Sequence, residues 1–170
     1  MSDKPASALA RTALGDLEHE IASTRRLLEA VPDAHLDWRP HAKSWTLGEL
    51  ATHVANLLRW PTMTLADDGF DLAGSPRNPP ASSRDELLRT LDGHAERLRA
   101  ALATADDAHL MGAWTLRNGA HEIFSMPRLA VMRGFGISHL IHHRGQLTVY
   151  LRLLDVPVPG LYGPSADERT

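Results

Sequence analysis

Ile137-Ser138-His139-Leu140-Ile141-His142-His143-Arg144-Gly145-Gln146-Leu147 carries the densest chemistry of this 170-residue chain. It reads as the middle of a long final helix, opened by Pro127 in its first turn and running to about Asp155. His139 and His143 are four residues apart, about 40° around a helix of roughly 100° per residue, so both imidazoles project from one face. That is metal-ligand spacing. His142, three residues past His139, leans to the other flank by about 60° and is the lesser partner. Histidines at helical spacing are more often satisfied core or surface residues than ligands, so the pair calls for a third ligand from another element.

His53 is the residue that supplies one. Thr46-Leu47-Gly48-Glu49 fits a capping box, in which hydroxyl and carboxylate each satisfy an exposed backbone N–H, and so starts a second helix. Leu47, Leu50, Val54, Leu57 and Leu58 form its buried stripe, with His53 inside it. An imidazole aimed inward costs free energy unless it is hydrogen-bonded or coordinated. Facing a helix with two more histidines, coordination is the better explanation. Pro61 is expected to kink or end this helix near Trp60.

The remaining elements form a scaffold. Leu9, Ala13, Leu17, Ile21 and Leu28 recur at steps of three and four, giving an amphipathic helix from about Ala6 to Ala30, with Arg11, Glu18, Arg25, Arg26 and Glu29 on its solvated face. Trp38 and Trp45 flank the connection around Pro40 and are expected to clamp it onto the bundle, with a substrate role for either indole as the secondary reading. Asp67 to Ser83, rich in Gly, Pro, Ser, Asp and Asn, reads as a long crossover. It serves as a lid or as a plain connector. Ser83 starts a third helix, with Asp85 and Glu86 in its first turn and Leu87, Leu91, Leu98 and Leu102 in its buried row. His94 lies close to that row and is the main competitor for a ligand role, but it has no helical partner at three or four residues to share a metal, and His19 reads as a surface or packing residue. The Asn118-Gly119 pair between two short alternating runs cues a tight hairpin, either a small β-ribbon or an extended arm. Gly134, Gly136 and Gly145, costly inside a helix, suggest close approach of another backbone.

Length and composition suit one ordinary domain over residues 1–170, with a real core. A net charge of -3 gives no basic footprint for nucleic acid, and the absence of cysteine removes disulfides and thiolate ligands. Any metal must then be held by nitrogen and oxygen. The N-terminus lacks a secretory pattern and no apolar run approaches the roughly 20 residues that span a bilayer, which places the expectation in the cytoplasm, away from membranes.

Four long helices, Glu49-Leu50-Ala51-Thr52-His53 and His139-Leu140-Ile141-His142-His143-Arg144-Gly145-Gln146 together resemble the DinB-like (damage-inducible) superfamily of four-helix-bundle metalloproteins. The tail Leu161-Tyr162-Gly163-Pro164-Ser165-Ala166-Asp167-Glu168 is similar to the ending of one bacterial branch. The resemblance implies an all-α, up-up-down-down bundle with a long crossover, frequent homodimers, and a divalent metal, zinc or nickel in character, on His53, His139 and His143.

Three imidazoles without a thiolate suit such an ion and leave positions open for solvent or substrate. A metal there lowers the pKa of water toward 7 or stabilises a thiolate. Two enzyme classes follow: metal-dependent hydrolysis, and, as the resemblance to thiol-dependent S-transferases and a maleylpyruvate isomerase implies, activation of a low-molecular-weight thiol co-substrate such as bacillithiol or mycothiol. A hydrolase needs a general base, and no His-Glu-x-x-His motif supplies one. Glu49 is more readily explained by its cap. Arg144 and Gln146 either hold an anionic substrate or serve packing, and Gln146 alternatively orients a ligand. The competing class is a non-catalytic metal-binding stress-response module working through a partner.

Overall fold

The computed structural model describes residues 7–75 and 79–168. Ala6, the expected start of the first helix, and Pro76 and Asn78 of the crossover lie outside the described residues. Helix α1 (Ala8–Glu29) starts at Ser7, whose hydroxyl accepts the Ala10 N–H, and it buries Ala13, Leu17, Ile21 and Leu28 of the expected stripe, with Ala10 buried and Leu9 only half-buried at its start. The chain then turns back through Asp33–His35. The carbonyls of Leu36 and Trp38 accept the N–H groups of Gly48 and Leu47 at 2.8 Å, so the loop itself satisfies the free amide donors at the start of α2 (Leu47–Asn56). The Thr46–Glu49 capping box is formed. A Cβ on Gly48 would lie 3.1 Å from the Leu36 carbonyl oxygen, which is why the smallest residue stands there.

Helix α3 (Arg59–Ala66) follows after a break at Leu57 and Leu58. The break falls before Trp60 because Pro61 sits in the first turn of the new helix, where its missing N–H costs nothing. Strand β1 (Gly69–Asp71) lies within the crossover, α4 (Arg84–Thr104) is capped by Ser83, and α5 (Asp107–Met111) leads into β2 (Ala113–Asn118) and β3 (His121–Pro127). The predicted hairpin is present: β2 and β3 are antiparallel with Asn118 opposite His121, and Gly119 takes φ +59° in the turn. Sequence reading missed β1, which pairs parallel to β2 and makes the sheet three-stranded in the order β1-β2-β3. Three residues are too short for a visible alternation. The final helical segment comprises α6 (Arg128–Val131), a π-helical stretch over Met132–Ser138, and α7 (His139–Leu153). It ends two residues before the expected Asp155, which takes φ +55°.

Side-chain pairs give the helix directions. Glu18 pairs with Arg99 and Arg25 with Asp92, so α1 and α4 are antiparallel. Tyr150 bonds the Trp45 carbonyl while His139 meets His53, so α2 and α7 are antiparallel. Glu20 and Thr24 on α1 both meet Arg144, and Asp16 meets Arg133, so α1 and the last helix are parallel. Along the chain the helices therefore run up, down, down, up. Read around the bundle from the last helix, the same directions are up, up, down, down. The chain order differs from the expected up-up-down-down because the first connection is a short reversal, whereas the long crossover joins two parallel helices and must travel the bundle's length.

Leucines and alanines from all four helical layers make the main core, and Trp60, Phe70, Trp114, Phe124 and Phe135 form an aromatic cluster between the sheet and the bundle. Arg128 closes that junction, donating to the carbonyls of Thr64, Asp67 and Ala113 and pairing with Asp68. No helix among the described residues is long and apolar enough to cross a membrane.

Arg144 of the His-His-Arg-Gly-Gln run is fully buried. It pairs with Glu20 at 2.5 Å, donates to the Glu20 carbonyl and the Thr24 hydroxyl, and meets the Tyr162 hydroxyl at 2.8 Å. Tyr162 in turn donates to the Glu20 carboxylate at 2.8 Å. This network spends the guanidinium on joining α1, α7 and the C-terminal tail, so Arg144 is a structural residue. Arg144→Ala leaves Glu20 buried without its cation and is expected to cost about 3–5 kcal/mol, measured as a lowered urea midpoint; a loss within 0.5 kcal/mol would contradict the assignment.

Candidate metal centre

His53 comes from the last turn of α2, and His139 and His143 from the first two turns of α7. The Nε2 atoms of His53 and His139 are 3.4 Å apart, and those of His139 and His143 are 2.9 Å apart. One ligand atom from each of the three residues lies within 4.8 Å of the other two, forming a group able to hold a metal ion. Two nitrogens each about 2.05 Å from a common ion are separated by roughly 3.3 Å at a tetrahedral angle and about 2.9 Å at a right angle. The observed separations match those values.

On His139 and His143 the second nitrogen explains why the first faces inward. Nδ1 of His143 donates to Oε1 of Gln146 at 2.8 Å. Nδ1 of His139 is buried and faces the Phe135 carbonyl one turn back, though short of full hydrogen-bond geometry. Both partners are acceptors, which favours the Nδ1–H tautomer and leaves the Nε2 lone pairs pointing at each other. Two lone pairs at 2.9 Å repel unless a cation or proton lies between them. Oriented imidazoles of this kind, backed by a carbonyl or amide, are the usual second layer of a metal site.

Burial also keeps the rings neutral, as coordination requires. It holds His53 down at about 4, with the neighbouring His143 and His139 adding to the effect. Burial lowers His139 likewise, assisted by His143 and His142, and lowers His143 against the opposing bond to Gln146. Trp45 stacks on His143 at 5.6 Å and 19° and meets His53 edge-on at 5.1 Å. Trp38 packs edge-on against Tyr150. The two indoles thus part company: Trp38 clamps the loop as expected, while Trp45 borders the histidines.

The other sequence candidates lie elsewhere. His142 is exposed, with its ring against His143. His94 bonds Asn56 and Arg97, and His19 packs on Tyr162. The Glu49 carboxylate accepts the Thr46 N–H at 2.7 Å, so it is spent on the cap. The expected approach of another backbone is not what the three helix glycines meet: Gly136 faces the Pro61 side chain, with Cδ 3.2 Å from where a Cβ would sit, and Gly134 and Gly145 have nothing within 4 Å. Sequence reading did not find the π-helical turn that carries Phe135 and Gly136 immediately before His139. Its one signal was the pair of costly glycines at 134 and 136.

Residues 16–147 match the family model described as the DinB superfamily. The chain belongs to the DinB superfamily. It is 28% identical over 151 residues to the uncharacterised protein YrdA of Bacillus subtilis (strain 168), covering 89% of this chain and 86% of that protein. Among solved structures, it resembles a DinB-like protein from Bacillus cereus ATCC 10987, with TM-score 0.71 and 23% identity over 88% of this chain and 95% of that one. A DinB-like protein of Bacillus subtilis, YjoA, gives TM-score 0.66 and 15% identity over 94% and 99%. At these identities the structural likeness speaks for the shared DinB fold alone.

Burial holds His94 at about 4 too, with Arg97 and Arg59 contributing. Between about pH 6.5 and 4 the unfolded chain takes up protons on His53 and His94 that the folded chain refuses. Stability contributed by their neutral forms is complete above 6.5 and falls as pH drops through this window. The urea midpoint of chelator-treated protein is expected to be lower at pH 5 than at pH 7, and His94→Gln to shrink that difference; an unchanged difference would show that His94 contributes nothing to it.

Proposed function

We propose that His53, His139 and His143 bind a divalent metal, zinc or nickel in character, and that the protein is a metal-dependent enzyme of the thiol-dependent S-transferase type. The observation that carries the metal is the convergence of inward-facing Nε2 atoms at 2.9 and 3.4 Å, with Gln146 and the Phe135 carbonyl behind two of the rings. The bound ion supplies Lewis acidity, which lets a thiol or water ionise near neutral pH. Three protein ligands leave coordination positions for a co-substrate, the pattern of catalytic sites.

Thiol activation is favoured over hydrolysis by what surrounds the rings. A hydrolase needs a positioned base, and the nearest carboxylate in sequence, Glu49, is held by the Thr46 amide. Among the described residues the metal-capable group contains no carboxylate. A thiol needs only its proton removed to solvent once its anion is stabilised. Homodimer formation and a cytoplasmic setting belong to the same proposal.

Catalysis, as opposed to a structural metal, is supported by the placement of the site. The three histidines are only half-buried, whereas the leucine core and the Arg144–Glu20 pair hold the helices together without them. Removing the metal with a chelator is therefore expected to abolish thiol-transfer activity while the helical circular dichroism persists; loss of the fold together with the metal would favour the non-catalytic reading.

Elemental analysis of purified protein is expected to give about one metal per chain, lost in His53→Ala and in His143→Ala. Gln146→Ala is expected to keep the metal but weaken its affinity about 10–100-fold in chelator competition. Protein that takes up neither zinc nor nickel overturns the centre.

A further inference from the structure

Trp45 is 46% exposed, yet its backbone is tied down on both sides. Its carbonyl accepts the Tyr150 hydroxyl at 3.2 Å, and its neighbour Thr46 is the capped start of α2. Leu36 and Trp38, earlier in the same connection, bond the first amides of that helix. A mobile indole can hide its apolar surface by folding down. The backbone bonds hold the loop, and the indole itself is held by its ring contacts, stacked on His143 and edge-on to His53. The surface it presents lies beside His143 and His53, two of the three proposed ligands.

We infer that Trp45 is a specificity-determining residue of the centre, an aromatic platform that favours ligands carrying a flat apolar group next to the donor atom that reaches the metal. The inference rests on the metal reading above. Shielding of His143 alone would require only the indole face turned toward the imidazole. With 46% of the residue exposed, the indole is not fully covered by these two rings, and its uncovered part offers a second flat group a surface to pack on. Such aromatic contacts are worth about 0.5–1.5 kcal/mol beyond area burial, which corresponds to roughly two- to twelvefold in affinity. Trp45 itself donates nothing to the metal, so its removal acts on the choice of ligand and spares the ion.

The test uses the full-length protein loaded with cobalt(II), whose visible spectrum reports coordination directly. Phenylmethanethiol and ethanethiol, two alkyl thiols differing in the aromatic ring, are titrated while the sulfur-to-cobalt absorption is followed. The wild type is expected to bind phenylmethanethiol about fivefold tighter than ethanethiol beyond the preference shown by Trp45→Ala. Trp45→Phe should retain most of that margin, with cobalt affinity unchanged in both variants. An equal preference in wild type and Trp45→Ala, with cobalt bound in each, refutes the platform and leaves the metal centre standing. Failure of the wild type to take up cobalt refutes the centre and the platform together. If Trp45→Ala does not fold, a Trp45→Phe preference matching the wild type supports the platform, and one reduced to that of Trp45→Leu overturns it.

Discussion

The ion pair between Arg144 and Glu20 sets the terms for the rest of the molecule. A guanidinium with no exposed surface is tolerable only when its charge and most of its donors are met, and here α1 and the tail meet them through Glu20, Thr24 and Tyr162. Because Arg144 must face α1, the rotation of α7 about its own axis is decided. His143 precedes it by one residue, about 100° away, and His139 lies one turn below His143. Both imidazoles are therefore delivered to α2, where His53 waits. Of the two roles open to Arg144 in the sequence, the structure gives it packing, and it aims the helix that carries His139 and His143.

Axial position is governed from the other end. The π-helical turn over Met132–Ser138 joins a sheet-anchored segment to α7, and such turns insert an extra residue that shifts everything beyond it. Phe135 stacks on Phe124 of β3 at 4.9 Å, and Gly136 lets Pro61 approach closely. These contacts hold the turn between the sheet and α3. Arg128, bonded to carbonyls of Thr64 and Asp67, keeps the end of α3 in place beneath it. The small sheet thus acts as a foundation for the last helix, and the Phe135 carbonyl behind His139 is a by-product of the same turn.

Cost and accessibility are separated in this arrangement. Leucine packing and the buried ion pair supply the stability, while the half-buried histidines sit at the rim with Trp45 partly open to solvent beside them. Neutral rings, low in pKa through burial, are ready to bind a cation without first losing a proton.

Much of this was already determined by the sequence. Leu9 to Leu28 and Leu87 to Leu102 recur at the helical period, Thr46 to Glu49 spell a capping box, Asn118-Gly119 makes a turn that few other residues accept, and a four-residue histidine spacing places two rings on one face. These are local rules, written in the positions of neighbours along the chain. Only the tertiary structure decided that Arg144 is structural and Gln146 a partner of His143, that Trp45 meets the histidines while His94 is turned to Asn56, and that the helices run up, down, down, up. It also decided the parallel pairing of β1 and the π-helical turn. Each of these depends on groups distant in sequence meeting in space, where burial and the need to satisfy buried polar atoms select one arrangement among several that the local pattern allows equally.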